Sequence, residues 1–469
     1  MAPLFANQSC DPFQPPSSPC KLGNYVRYAI NATGPSDITA ALKFSERHNI
    51  RFVIRNTGHD YNGRSTGAGA LAVWTHHLKS IKVGRWSKGY YTGSTLEIGA
   101  GVQGYEAVEA AHKAGLVVVT GECPSVGLAG GYVQGGGHSA LSTIHGLAAD
   151  NALSYQVVTP TSTLVTASRE ENEDLYWALS GGGGGNYGIV VSMIVKAHPD
   201  ATISGVQFGI AAPENDPDRI LPVIDAFHAA LPDIVDAGTM IIYFFGKGYF
   251  RVPAMTAFNK TKVEAQSILA PFFNSVSKFG LSIDGLNSTQ FPSYYDHFTH
   301  YWGPFPSGDI QIGTSLFGGR LISRSALSKF SSTARSLIDK GVTFIGVGLN
   351  VSHFGGDNAV LPAWRDALVS TSLTLPWSFE ELFEEQVAKQ DRITREIQPL
   401  VDAATPGSGA YMNEADFQQP NFQEAFFGSN YEKLLKVKDE WDPKGLLYAR
   451  AGVGSERWAV AGDGRMCRT

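Results

Sequence analysis

The stretch Gly121-Glu-Cys-Pro-Ser-Val-Gly127, followed by Gly130-Gly131 and Gly135-Gly136-Gly137, decides how this chain folds. Glycine accounts for 52 of the 469 residues, against a usual share of about 7%, and the glycines are clustered. This cluster lies among apolar, strand-like segments, which argues against a flexible linker. Because only glycine lets the main chain approach a large flat ligand closely, the stretch predicts a large cofactor bound through backbone.

Two other segments share this character. Arg55-Asn56-Thr57-Gly58-His59-Asp60 directly follows a predicted strand at residues 50–54, and its backbone N–H groups and hydroxyl suit a pyrophosphate. A third glycine run at residues 181–185 precedes Asn186-Tyr-Gly188-Ile189-Val190 and offers another surface without side chains. The three segments together predict one extended binding site.

The pattern of apolar residues predicts three parts of the chain. Residues 25–198 predict a compact α+β unit, with helices at 37–49, 105–114 and 174–179 and strands at 50–54, 71–74, 96–98, 116–120, 156–160, 163–166 and 189–196. Residues 199–410 predict longer helices at 220–230, 263–275, 324–340 and 381–403, with strands at 239–245, 315–321 and 342–347. The last block contains a predicted helix at 431–440. We therefore expect domains at 1–198, 199–410 and 411–469, the second with a sheet large enough to roof a cavity.

Composition excludes several classes of protein. The formal net charge is −6 and no basic run occurs, which disfavours a nucleic-acid partner. No apolar stretch approaches the roughly 18 residues that span a bilayer, so we expect no membrane partner, and we expect a monomer.

Five sequons favour a secretory route, although no signal peptide is apparent; they are Asn7, Asn31, Asn259, Asn287 and Asn350. Cys10 and Cys20 would pair in an oxidising compartment, whereas Cys467 has no evident role.

Three motifs suggest other chemistry. Gly99-Ala-Gly101-Val-Gln-Gly104 is a GxGxxG sequence with Glu122 beyond it, which is the pattern of a nicotinamide dinucleotide site, although a tight strand-to-helix turn explains it better. Residues 137–141 resemble the turn that carries a serine nucleophile, but Leu141 stands where that turn needs glycine. His297 and His300 have the spacing of metal ligands without an evident third ligand. We therefore predict no metal.

The chain resembles the vanillyl-alcohol-oxidase flavoprotein superfamily at RNTGHD, GECPSVGLAGGYVQGGGHSALS, GLAADN and SGGGGGNYGIVVS. The block YMNEAD…WDPKGLLYA narrows the resemblance to fungal berberine-bridge-enzyme-like, FAD-linked oxidases with a PCMH-type FAD-binding domain. The resemblance implies a two-domain α+β flavoprotein, with an FAD-binding α+β domain and a substrate domain in which helices cover an antiparallel sheet. It also implies that residues 411–469 return to the FAD domain.

The resemblance implies roles for individual residues. His59 matches the histidine that attaches to the flavin 8α-methyl group and Cys123 the cysteine that attaches to flavin C6, so the FAD is expected to be bicovalent. Tyr411 and Asn413 match a Tyr-x-Asn motif that approaches the flavin ring, while Glu414 departs from the plant pattern. The expected cofactor-binding set is Arg55, Asn56, Thr57, Gly58, His59, Asp60, Cys123, Val126, Gly127, Gly130, Gly131, Gly135, Gly136, Gly137, Gly146, Asp150, Asn151, Gly188, Ile189, Val190, Tyr411 and Asn413.

The expected activity is an FAD-dependent oxidase that moves a hydride from an alcohol or amine carbon of a small-to-medium organic or carbohydrate substrate to flavin N5, with dioxygen reduced to hydrogen peroxide. Tyr411 is the predicted base, which requires a neighbour that lowers its pKa. Tyr243, Arg320, Asn350 and His353 are predicted to face the substrate. The alternatives are an oxidative cyclase or dehydrogenase of secondary metabolism that uses the same flavin and, less favoured, a NAD-dependent dehydrogenase.

Overall fold

The computed structural model describes residues 3–6, 15–17, 19, 21–308 and 315–469. Cys10, Cys20 and Asn7, which carry the predicted disulfide and one sequon, lie outside these residues. Helices and strands are mixed along the whole described chain. The predicted α+β fold class is therefore confirmed.

The first part of the chain builds two sheets. A parallel sheet has Leu71–Trp74 in its centre, between Tyr28–Asn31 and Phe52–Arg55, and helix Pro35–His48 buries its apolar side on it. An antiparallel sheet follows, with strands in the order Ile81–Lys88, Tyr91–Gly99, Ile189–Lys196, Ala152–Val158 and Leu164–Ser168. The helical segments between the strands are Gly104–His112, Leu128–Tyr132, Ser142–His145, Ala148–Asn151 and Glu173–Leu179, and Leu116–Val117 pairs with His198–Pro199.

The second part is a seven-stranded antiparallel sheet. Its strands lie in the order Asp284–Phe291, Ile203–Ala211, Tyr249–Phe258, Thr239–Gly246, Thr343–Gly348, Ala367–Pro376 and Ser315–Ser323. The helical segments of this part are Pro217–Ile220, Leu221–Asp236, Lys262–Lys278, Tyr294–Trp302, Arg324–Leu327, Ser331–Asp339, Pro362–Arg365, Phe383–Arg392, Ile393–Ile397 and Gln398–Ala404. The predicted antiparallel sheet with covering helices is present.

Side-chain alternation divides this sheet between two cores. Met240 belongs to the core that also contains the first part of the chain. Ile241 and Tyr243 belong to a second core, which includes the apolar residues of helices Leu221–Asp236 and Lys262–Lys278. The sheet thus has one face toward the first part of the chain and one face toward its own helices.

The last part of the chain returns to the first. Helices Phe422–Phe427 and Tyr431–Trp441, the turns Gly428–Asn430 and Ser455–Arg457, and the hairpin of Trp458–Val460 with Met466–Arg468 make up this part. Leu447 forms a bridge with Phe52. Lys438 Nζ donates to the carbonyl oxygen of Asn186, at 2.7 Å. The chain therefore places residues 411–449 beside the glycine-rich loops.

One predicted helix is interrupted in the structure and another is continuous. The helix predicted at residues 324–340 is two helices, Arg324–Leu327 and Ser331–Asp339, separated by a turn in which Lys329 and Phe330 bond back to Ala326 and Leu327. Ser323 and Ser325, whose hydroxyls are 3.1 Å apart, favour a short capped turn over a continuous helix. The helix predicted at 381–403 is present as three helical segments that follow one another without a break, Phe383–Arg392, Ile393–Ile397 and Gln398–Ala404.

Candidate functional site

A cavity of about 560 Å³ lies where the three parts of the chain meet. Its walls come from residues within 52–65, 121–138, 184–185 and 447–449, with Tyr411, Asn413 and Glu414 on a further wall and Phe317 contributed by the large sheet. Of the predicted cofactor-binding residues, those brought to this cavity are Arg55, Asn56, Thr57, Gly58, His59, Asp60, Cys123, Val126, Gly127, Gly130, Gly131, Tyr411 and Asn413. The three segments that sequence linked into one site therefore contribute to one cavity.

Ser125 connects the two residues predicted to attach the flavin. Its hydroxyl lies 3.0 Å from His59 Nε2 and 3.7 Å from Cys123 Sγ. Burial lowers the pKa of His59 to about 4, so the imidazole is neutral at physiological pH. Burial raises the pKa of the Cys123 thiol. The neutral imidazole of His59 and the thiol of Cys123 thus both contact the Ser125 hydroxyl at the cavity wall.

The loop of residues 55–60 is held rigidly by its own side chains. Asn56 Nδ2 donates to Ala100 O at 2.5 Å, and Asp60 Oδ2 accepts from the backbone N–H groups of Asn62 and Arg64. Gly58 has a φ of 83°, and a Cβ there would lie 2.6 Å from Arg55 Nη2. All six residues of this loop line the cavity.

The glycines between residues 121 and 137 differ in what an added side chain would contact. At Gly127 an added Cβ would lie 2.1 Å from Asn56 Oδ1, so this glycine permits close packing of two loops. At Gly131 the nearest atom is 4.0 Å away, so a longer side chain there would extend into the cavity. Gly135, Gly136 and Gly137 do not line it; an added Cβ on Gly135 would clash with Asn413 instead.

Other predicted cofactor residues lie away from the cavity wall. Asp150 forms an ion pair with Arg365, at 2.7 Å, and Asn151 Nδ2 donates to backbone carbonyls of the same loop. These side chains fix the loop that begins at Gly146, where φ is 81°. The first residues of the strand that begins at Ile189 also lie away from the cavity wall, since they are buried in apolar cores. The residues that the structure does not bring to the wall are Gly135, Gly136, Gly137, Gly146, Asp150, Asn151, Gly188, Ile189 and Val190.

Tyr411 lies among polar partners at one end of the cavity. Its hydroxyl oxygen accepts a hydrogen bond from Asn413 Nδ2 at 3.0 Å, and the same amide donates to Gly131 O at 2.8 Å. Burial, reinforced by the Glu414 carboxylate, raises the pKa of Tyr411 above its usual 10.0. The structure therefore does not provide the lowered pKa that a tyrosine base needs.

The four residues predicted to face substrate lie elsewhere. Tyr243 is fully buried in the core under the helices, with its hydroxyl 3.2 Å from His228 Nε2. Arg320 forms an ion pair with Asp402 at 3.2 Å. Asn350 donates to Asp236 at 3.1 Å, and His353 is exposed. None of the four lines the cavity. Tyr243 does not, because alternation along its strand turns this side chain to the opposite face of the sheet.

Several residues of the cavity were not predicted to have a role there. Tyr61 stacks on Phe317 with ring centroids 4.2 Å apart and planes at 15°. Glu122, His138 and Glu414 form a cluster of charges beside Tyr411. The sequence offered one indication, the unusual Glu414 and the late His138, but their pairing across 276 residues requires the fold.

The alternative motifs lack the structures they need. The strand Tyr91–Gly99 is antiparallel to both of its neighbours, so the GxGxxG turn is not part of a parallel βαβ unit. Ser139 is completely buried, which removes it as an exposed nucleophile. His297 is also buried, and the described residues contain no group of three or more side chains with metal-binding geometry. No helix among the described residues is long and apolar enough to cross a membrane.

The cavity fits FAD, and comparison with known proteins agrees. Its glycine-rich loops suit a dinucleotide, and the space at Gly131 is one that a side chain would fill. Residues 26–168 match the model of the FAD binding domain family, and residues 410–454 match the model described as "berberine and berberine like". The fold and site therefore define an FAD-binding flavoprotein.

Three relatives identify the family more closely. The chain is 50% identical to the FAD-linked oxidoreductase ZEB1 of Gibberella zeae, over 100% of this chain and 83% of that protein. It is 38% identical to the bifunctional decalin synthase calF of Penicillium decumbens, over 100% and 83%. The crystal structure of the VAO-type flavoprotein MtVAO615 from Myceliophthora thermophila C1 matches with a TM-score of 0.94 and 38% identity, over 100% and 87%. The chain belongs to the berberine-bridge-enzyme-like, FAD-linked oxidoreductases of the vanillyl-alcohol-oxidase superfamily.

Proposed function

We propose that this oxidoreductase is a bicovalent FAD oxidase that removes a hydride from an alcohol or amine carbon of a small-to-medium organic substrate. FAD, when bound, accepts the hydride and gives it to dioxygen, which is released as hydrogen peroxide. The observation that carries the proposal is the position of His59 and Cys123 on one cavity wall, joined through the Ser125 hydroxyl.

The charge state of His59 supports covalent attachment. Because the pKa of His59 is lowered to about 4, its ring has a free nitrogen lone pair at neutral pH. The thiol of Cys123 lies near the Ser125 hydroxyl, which lowers the pKa that burial raises. A thiolate is the nucleophile that a sulfur–carbon bond requires. Two covalent attachments would hold the flavin ring without protein contacts that cover it, and would leave the cavity open to substrate.

The attachment is tested on protein precipitated with acid. We expect the washed pellet of the wild type to remain yellow, with flavin on peptides that contain His59 and Cys123. His59→Ala and Cys123→Ala should each leave one attached peptide, and the double variant should release free FAD. Cys467→Ala, at an exposed cysteine far along the chain, is the matched control and should keep both attachments. Flavin that leaves the wild-type pellet entirely would contradict the proposal.

The cavity walls support an organic substrate with a flat apolar region. Tyr61 and Phe317 supply a stacked aromatic pair, and Arg64 and Glu414 supply charge nearby. The test is a panel of benzylic, allylic and sugar alcohols and of amines, with oxygen consumption and peroxide measured together. We expect one peroxide per oxygen for at least one compound class. Substrate oxidation without peroxide would favour instead a cyclase or dehydrogenase of secondary metabolism; one relative is named a bifunctional decalin synthase.

We also propose that the protein enters the secretory route. The sequon asparagines Asn31, Asn259 and Asn287 are exposed in the structure, as glycosylation requires. Protein expressed in a fungal host should gain mobility in gels after treatment with an N-glycosidase. Unchanged mobility, together with no sugar on peptides that contain these residues, would refute the proposal.

A further inference from the structure

A buried histidine between two carboxylates lies at the end of the cavity. His138 Nε2 is 3.0 Å from Glu414 Oε1, and His138 Nδ1 is 3.4 Å from Glu122 Oε2. The His138 side chain is 8% exposed, Glu122 is 11% exposed and Glu414 is 28% exposed. Glu414 is therefore the member of this Glu122–His138–Glu414 cluster that is most open to the cavity.

The net charge of the cluster favours proton uptake. Although burial lowers it, the Glu414 and Glu122 carboxylates raise the pKa of His138 well above its usual range, so the ring is an imidazolium. Two carboxylates and one imidazolium carry a net charge of −1 in a poorly solvated place. Like charges that share a site favour binding of one proton, and that proton belongs to the cluster as a whole.

The far end of the cluster has an unused acceptor. Glu122 Oε1 is buried and has no hydrogen-bond partner among the described residues. An unpaired buried oxygen of this kind is unfavourable, and a shared proton in the cluster reduces that cost. The other groups that face His138 are the rings of Tyr411 and Trp364, at 5.4 and 6.5 Å, and the Tyr132 hydroxyl, which donates to His138 O.

Tyr411 has the opposite properties. Its oxygen already accepts from Asn413, so the hydroxyl hydrogen remains available to a substrate oxygen or nitrogen. The nearby Glu414 charge opposes a phenolate. Tyr411 is therefore suited to donate a hydrogen bond, whereas the cluster is suited to accept a proton.

We propose that Glu414 is the catalytic base, that Glu122 and His138 are positioning residues that share its proton, and that Tyr411 orients the substrate. The inference rests on the proposed function. When an alcohol becomes a carbonyl compound, the C–H electron pair leaves as hydride to FAD and the O–H proton goes to Glu414. Dioxygen then takes the hydride and this proton, which together leave as hydrogen peroxide.

The shared proton is tested first on the flavin-loaded protein without substrate. Carbon-13 NMR of labelled histidine, assigned with His138→Gln, reports the ring charge, and infrared difference spectra across roughly pH 5 to 9 report a protonated carboxyl group. We expect His138 to stay charged through this range and one carboxyl band to mark the proton that the cluster takes up. Glu414→Gln should remove the band and Glu122→Gln should shift it. Glu109→Gln, at an exposed ion pair, is the control and should change neither. A neutral His138, or a band that persists in Glu414→Gln, overturns the proposal.

The catalytic role is tested by anaerobic bleaching of the flavin with the alcohol from the panel that releases peroxide fastest. General-base catalysis contributes about 10²–10⁴-fold, so Glu414→Gln should slow bleaching at least about 100-fold and remove the pH dependence of bleaching that the wild type shows. Tyr411→Phe should slow it less and keep that dependence. The reverse result makes Tyr411 the base and overturns the assignment. If nothing in the panel bleaches the wild type, the proposed function fails, whereas the cluster is still judged by the NMR and infrared result.

Discussion

Replacement of Lys438 by methionine should destabilise the contact between the last part of the chain and the first. Lys438 Nζ is buried and bonds to Asp442 Oδ2 at 2.6 Å, Asn186 O at 2.7 Å and Leu447 O at 2.8 Å. The Asp442 side chain has no solvent exposure. Methionine fills a similar volume but leaves the carboxylate charge without its cation and removes the donor from both carbonyls.

The magnitude follows from burial of the pair. Removal of one partner from a buried ion pair costs about 3–5 kcal/mol. Asp442 still accepts from the backbone N–H groups of Leu446 and Leu447, at 2.8 and 2.9 Å, so the lower half of that range applies. We therefore expect Lys438→Met to reduce the free energy of unfolding by about 3–4 kcal/mol.

Urea unfolding followed by tryptophan fluorescence measures this loss. Trp441, at the end of the same helix, donates to Asp174 at 2.8 Å and so reports on the contact directly. Lys436→Met is the matched control, because Lys436 is exposed on the same helix, and its effect should be below about 0.5 kcal/mol. A loss below about 1 kcal/mol for Lys438→Met would refute the view that this ion pair holds the two parts together.

Two other predictions concern the cavity and acid stability. Gly131→Leu should place a side chain in the cavity and reduce flavin content, measured as the ratio of flavin to protein absorbance, whereas Gly462→Leu, at an exposed glycine with open space around it, should not. The stacked pair His145 and His198 has pKa values lowered to about 3 and about 4 by burial. Because the unfolded chain binds protons from about pH 6.5 downward and the folded protein does not, the free energy of unfolding should fall as pH falls toward 4. His198→Asn should make that dependence shallower, and equal slopes would contradict the assignment.

The sequence predicts which glycine-rich loops come together at the cavity. A glycine cluster can be interpreted from the local sequence alone, because the close approach that glycine permits depends only on its own backbone. The loop at residues 55–60 and the stretch from Gly121 therefore come to one wall, as expected. The family resemblance placed Asp150 and Gly135 in the cofactor-binding set; in the structure Asp150 pairs with Arg365, and a Cβ on Gly135 would meet Asn413.

The predicted substrate-facing residues show why the remainder of the site could not be predicted from the sequence. In the strand Thr239–Gly246 the aromatic residue Tyr243 attracts attention, but a shift of one position changes the face of the sheet. Which face is roofed by helices depends on residues far along the chain, such as those of helix Lys262–Lys278. Composition cannot resolve this choice, since both faces of the sheet are apolar.

The charged end of the cavity depends on how the last part of the chain returns. Arg64 Nε donates to Arg450 O at 3.0 Å and Asn62 Nδ2 donates to Met412 O at 2.6 Å, so the loop after the predicted pyrophosphate segment holds the backbone on both sides of the returning chain. Met412 lies two residues before Glu414, whose position beside His138 is thereby fixed. The residues that directly follow the expected dinucleotide-binding segment thus also hold the part of the chain that carries the proposed base.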